Sequence, residues 1–157
     1  MSHHLAQLNI ATLLAPLDSP QLTDFVANLD QVNTLAEQSP GFVWRLKDDT
    51  GDATALRPYG DDVLVNMSVW TDAEALADFV YRSSHTEIMR RRRDWFAAMR
   101  EAHMVLWWIP AGHVPTVNEA AERLSLLQRE GPSPAAFSFR QRYPAPATAA
   151  PVLERES

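Results

Sequence analysis

Val63–Trp70, VLVNMSVW, alternates without a break. Val63, Val65, Met67 and Val69 fall on one side of an extended chain, and Leu64, Asn66, Ser68 and Trp70 on the other. That is a β-strand with two unlike faces, one aliphatic and one mixing amide, hydroxyl and indole. Thr71 and Glu74 follow as a capping box, and Leu76, Phe79 and Val80 give the next helix its inner side.

Working backwards, the polar stretch Lys47–Asp62 reads as a long hairpin connection. Before it, FVWRL (Phe42–Leu46) is a second strand, set off by Pro40–Gly41. Gln21–Gln38 carries Leu22, Phe25, Val26, Leu29, Val32, Leu35 and Ala36 in helical register. His4–Ile10 alternates again, Ala6, Leu8 and Ile10 against Leu5, Gln7 and Asn9. Working forwards, Met104–Pro110 (MVLWWIP) is a strand apolar on both faces. Thr116–Arg129 is a helix opened by a Thr116–Glu119 capping box, and Phe137 and Phe139 suggest a short edge strand.

The order is β-α-β-β-α-β plus a C-terminal helix. It predicts an α+β, ferredoxin-like βαββαβ domain over residues 4–143, with its helices on one sheet face. Residues 144–157, rich in proline and alanine, read as a disordered tail. The doubly apolar fourth strand predicts a second subunit over the open face, closing a dimeric α/β barrel.

Composition narrows function. The 157 residues are 46% apolar and 22% charged, which suits one soluble domain. With no cysteine, thiolate chemistry, disulfides and cysteine-ligated metal sites are excluded. No metal-ligand spacing, phosphate loop, GxSxG or HExxH occurs, so no metal site is expected. A net charge of −6 speaks against nucleic acid, because Arg90–Arg93 on a helix point four ways rather than forming one basic face. The N-terminal segment has neither the basic region nor the apolar core of a signal peptide, and no apolar run reaches membrane-spanning length. The expected location is the cytoplasm, without a membrane partner.

Ser84–Met99, SHTEIMRRRRDWFAAM, carries the candidate chemistry. At helical spacing Ile88, Met89, Trp95, Phe96 and Met99 share a stripe, with Arg92 at its centre and His85 one turn away. A buried arginine and histidine are costly unless something pairs with them. If the aliphatic strand faces lie under the helices, the opposite face offers Gln7, Asn9, Asn66, Ser68 and Trp70. Strand two adds either Arg45 with Val43, or Phe42, Trp44 and Leu46. Hydrogen-bonding groups among tryptophans are the make-up of a small-molecule pocket. The candidate catalytic residues are therefore His85, to move a proton, and Arg92, to stabilise an oxyanion. The candidate substrate-binding residues are Asn9, Arg45, Asn66, Ser68, Trp70, Trp95 and Trp107.

LAQLNIATLLAPLDSP, GFVWRL, VNMSVW with LADFVYRSSH, MRRRRDWF and VLWWIPAGHVPT, in this order, resemble domain-of-unknown-function family 3291 of the dimeric α/β-barrel superfamily. The resemblance implies a ferredoxin-like fold and a homodimer. It implies no single activity, since the superfamily holds cofactor-free monooxygenases, polyketide cyclases, muconolactone-type isomerases and haem proteins. Three expectations follow. The first is a metal-free, cofactor-free enzyme acting on an apolar, aromatic or polyketide-like substrate. The second is a non-catalytic ligand-binding or scaffold dimer, with Arg92 in a structural ion pair. The third is a haem protein with His85 as axial ligand.

Overall fold

The computed structural model describes residues 2–47, 59, 60, 62–82, 92–97 and 103–146. In chain order the elements are β1 (His3–Thr12), a 3-10 turn (Pro20–Leu22), α1 (Thr23–Gln38), β2 (Phe42–Arg45), β3 (Val63–Trp70), α2 (Ala73–Arg82), α3 (Arg92–Trp95), β4 (Met104–Pro110) and α4 (Val117–Glu130). The strands form one antiparallel sheet in the order β2-β3-β1-β4. Each β-α-β connection therefore skips one strand, which is the ferredoxin-like arrangement that the order of elements predicts.

Local chemistry sets the boundaries. Asp72 caps α2 by accepting from the Ala75 N–H at 2.8 Å, one residue later than the expected Thr71. Thr116 caps α4 as expected, through Glu119 N–H to its hydroxyl at 3.0 Å. Gly41 has φ +86°, and a Cβ there would run into Ala75 and Thr71. Its carbonyl accepts from Thr71 N–H at 2.8 Å, so only glycine lets the start of β2 lie this close to α2.

The pleat divides the sheet into two faces. Direct pairing puts Ala6 beside Val69 and Trp107, Leu8 beside Met67 and Val105, and Ile10 beside Val65. This aliphatic face is covered by Ala120, Leu124 and Leu127 of α4. The other face carries Leu5, Gln7, Asn9 and Ala11 of β1 beside Trp70, Ser68, Asn66 and Leu64 of β3. It packs against Ala36 of α1 and Ala73, Leu76 and Phe79 of α2.

One sequence expectation is corrected here. α1 and α2 share one face, as the ferredoxin-like order predicts, but it is the mixed face and not the aliphatic one, and the additional helix α4 takes the aliphatic face. Both faces of the doubly apolar β4 are met within the chain: α4 covers one, and Phe137, Phe139 and Tyr143 pack on the other. Phe137 also exchanges both backbone hydrogen bonds with Leu106 along the outer edge of β4, at 2.8 and 2.9 Å.

The helical stripe expected over Ser84–Met99 is also revised where it is described. The short α3 ends at Trp95, and Phe96 forms an antiparallel bridge with Leu13. Trp95 O accepts from Leu14 N–H and Ala97 N–H donates to Thr12 O, both at 2.9 Å. The backbone of β1 beyond its ladder needs partners, and this extended turn supplies them. Ser84–Glu87, most of Lys47–Asp62 and the tail from residue 147 lie outside the described residues.

Candidate functional site

The mixed face holds two apolar clusters rather than one. Leu5, Trp70, Leu106, Phe137, Leu76 and Phe79 form one at its upper end, where Trp70 stacks on Phe79 at 5.3 Å. Ala11, Leu64, Leu22, Trp95 and Phe96 form the other, with Phe25 of α1 against both aromatic rings. On both central strands the positions between the clusters are polar: Gln7 and Asn9 on β1, Asn66 and Ser68 on β3. From Leu64 to Trp70 the strand runs roughly 20 Å, so the polar strip lies within about 13 Å of sheet between apolar ends.

Asn66 is exposed, although it sits mid-strand in a central strand of the sheet. On the same side of the sheet, α1 buries only Ala36 fully, and Leu29 is half-buried without joining either cluster. Phe25 of α1 packs on the lower cluster and Val32, Leu35 and Ala36 on the upper one, while Leu29 between them joins neither. An exposed amide between two apolar clusters is the mixed composition of a small-molecule site.

The polar strip is tightly wired. Gln7, 3% exposed, donates from Nε2 to Asn66 Oδ1 at 2.6 Å and to Ser68 Oγ at 2.8 Å. Trp70 Nε1 donates to the same Ser68 Oγ at 2.9 Å. Gln7 Oε1 is buried without a hydrogen-bond partner, at a cost of about 1–3 kcal/mol. At the strip's edge Arg45 lies opposite Ser68, and its Nε donates to Glu37 Oε2 of α1 at 2.9 Å.

The strip thus brings together Asn9, Arg45, Asn66 and Ser68, with Trp70 buried at one end and Trp95 buried in the cluster at the other. Strand two resolves into neither expected alternative. A bulge at Val43 puts Phe42 and Arg45 on this face and Trp44 on the other. Trp107 lies on the opposite face, fully buried, and donates from Nε1 to Glu119 Oε2 at 2.9 Å. His85 lies outside the described residues, as does the Arg92 side chain.

The sequence places Gln7 on the open face beside Asn9 but does not single it out as a site residue. Sequence reasoning missed Leu29, Glu37 and a polar knot on the far face. There Glu119 Oε1 meets His113 Nε2 at 2.7 Å while Oε2 takes the Trp107 N–H. Burial works against the Glu119 charge. Hydrogen bonds from His113 and Trp107, the His113 charge and the Thr116 backbone outweigh it and hold the carboxyl below the ordinary carboxylate value. No signal in the sequence pairs residues so far from any shared motif.

Residues 4–153 match the family described as "Domain of unknown function (DUF3291)". The chain belongs to that family. A comparison with curated proteins finds no match. Among solved structures, the chain is similar to SnoaB, a cofactor-independent oxygenase from Streptomyces nogalater, at 16% identity. That alignment covers 72% of this chain and 97% of SnoaB, with a TM-score of 0.45. It is also similar to a protein of unknown function from Nitrosomonas europaea, at 13% identity, covering 73% and 96% of the two chains with a TM-score of 0.45. Among the described residues no group of His, Asp or Glu is arranged to hold a metal ion, and no helix is long and apolar enough to cross a membrane.

Proposed function

We propose that the polar strip is the floor of a cleft beneath α1 that binds a small, flat, largely apolar molecule, aromatic or polyketide-like, and that the protein is a metal-free enzyme acting on it. The observation that carries this reading is Asn66, exposed at the centre of a sheet face whose two ends are apolar and closed. The reaction class is proton transfer with oxyanion stabilisation, as in an isomerase, a cyclase or a cofactor-free monooxygenase. In this reading His85 is assigned the proton transfer, and Arg92 with Asn66 the stabilisation of the developing oxyanion. Arg45 is the weaker candidate for that role, because Glu37 already takes its Nε–H.

A second reading, a ligand carrier without catalysis, is favoured by one specific observation. The described floor consists of two amides, a hydroxyl and the Gln7 side chain, and none of these transfers a proton at neutral pH. Catalysis therefore rests on His85 and Arg92. The haem reading keeps His85 as its axial ligand and has no further support among the described residues.

Native mass spectrometry of the purified protein tests the site and the homodimer together. Bound organic mass that disappears in Leu29→Trp, which fills the cleft, supports the reading; excess mass matching haem overturns it. With a substrate in hand, full turnover by both His85→Ala and Arg92→Met removes the enzyme in favour of the carrier.

A further inference from the structure

The wiring of the floor has a direction. Gln7 Nε2 carries two hydrogens, and both are spent, on Asn66 Oδ1 and on Ser68 Oγ. Ser68 Oγ also accepts from Trp70 Nε1, so both its lone pairs are taken and its own hydrogen is left to donate. Gln7 takes one lone pair of Asn66 Oδ1 and so fixes which way the amide faces, oxygen toward Gln7 and both Nδ2 hydrogens away from it. The free end of the network is a donor.

The reverse wiring is also possible on paper. Gln7 could accept through Oε1 from Asn66 and Ser68, turning Asn66 Oδ1 to the cleft. That would bury the Gln7 Nε2 with two unpaired hydrogens where Oε1 now sits. A buried carbonyl without a partner is tolerated better than a buried N–H without one. Burial of Gln7 therefore selects the observed direction.

We propose that Gln7 is a positioning residue that fixes Asn66 as a hydrogen-bond donor, so that the cleft selects ligands presenting an acceptor oxygen, such as a carbonyl, enolate or phenolate, on an apolar ring system. The inference rests on the cleft being the ligand site. Asn9, opposite Asn66 in the ladder, has no such lock and can present either end of its amide.

Two ring-matched probes test it: 1-tetralone, which only accepts, and 5,6,7,8-tetrahydro-1-naphthylamine, a neutral amine that donates. Titration into the full-length protein, followed by tryptophan fluorescence and by the side-chain amide signals of Asn66, gives both affinities. The wild type is expected to favour the ketone by about tenfold, or about 1.4 kcal/mol, with the Asn66 Nδ2 signals shifting. In Gln7→Met the ratio falls toward one, because the Asn66 amide is free to turn. In Gln7→Glu, whose carboxylate only accepts, the ratio inverts. A merely structural Gln7 would weaken both probes alike and leave the ratio unchanged, which overturns the proposal. Equal binding of both probes by the wild type overturns it without any variant having to fold, and leaves the cleft standing as a site. Binding of neither probe overturns the cleft reading and this inference with it.

Discussion

The two faces of the sheet share four strands and almost nothing else. Under α4, aliphatic side chains from three strands meet Ala120, Leu124 and Leu127 in one continuous cluster. Under α1 and α2 the cluster splits in two around a polar strip. Both helix layers are amphipathic, so the difference lies in the floor they cover. One face is built to exclude everything, as close-packed interiors do. The other keeps exposed amide surface in the middle of the sheet, which stability alone would replace with valine or isoleucine.

The largest effect separating the faces should come from matched truncations. Leu124→Ala on α4 removes a side chain that is 1% exposed within a full cluster. We expect a loss of about 2–5 kcal/mol in urea unfolding. Leu29→Ala on α1 removes a half-buried side chain that belongs to neither cluster, and should cost under about 1 kcal/mol. Equal costs would mean that α1 is seated along its whole length, and the cleft would have no roof to stand off.

Acid should then find the faces unequal. Glu119 is the described carboxylate held below its ordinary value by specific partners. A group whose folded pKa is lowered contributes stability that is complete above the ordinary carboxylate value and drains as pH falls through the folded one. Glu119→Gln should therefore flatten the acid limb of the stability profile while leaving ligand binding in the cleft untouched. His113→Ala should do the same more weakly, because Trp107 still donates to the carboxylate. An acid limb identical to wild type in both variants would place that sensitivity elsewhere.

How much of this the sequence carried depends on what kind of information each feature needs. β3 and β4 are legible to the residue, because the alternation of one, the short apolar run of the other and their flanking breakers are local properties. That the strands have two unlike faces was legible for the same reason. Which helices cover which face was not. Amphipathicity tells a strand that it has a wet and a dry side, but the late arrival of α4 decides which side stays dry. The Val43 bulge shifted the parity of β2, which no pattern of alternation announces. Asn9, Asn66 and Ser68 share a face despite the inverted covering, because shared parity survives it, whereas Arg45 joins them through the bulge. Trp107 was separated from them by the same rule: it pairs with Ala6, not with Gln7 or Asn9.

The smallest expected change in stability is the sharpest test of the comparison. Removing Asn66 alone would strand one Gln7 hydrogen in a buried position, and removing Gln7 alone would free the Asn66 amide. Taking both away, as Gln7→Met with Asn66→Leu, deletes the hydrogen-bonded pair whole, and such paired replacements are close to neutral. Ser68 stays satisfied by Trp70. The buried, unpartnered Gln7 Oε1 disappears as well, which removes a standing cost. The double variant should therefore unfold within about 1 kcal/mol of the wild type, or later than it. Its two apolar clusters would join across the strip, and the mixed face would come to resemble the face under α4. If the strip exists for a ligand, that variant keeps its fold and loses binding of 1-tetralone entirely. If it unfolds by several kcal/mol instead, the amides hold the sheet and helices together, and the contrast between the faces is one of architecture rather than function.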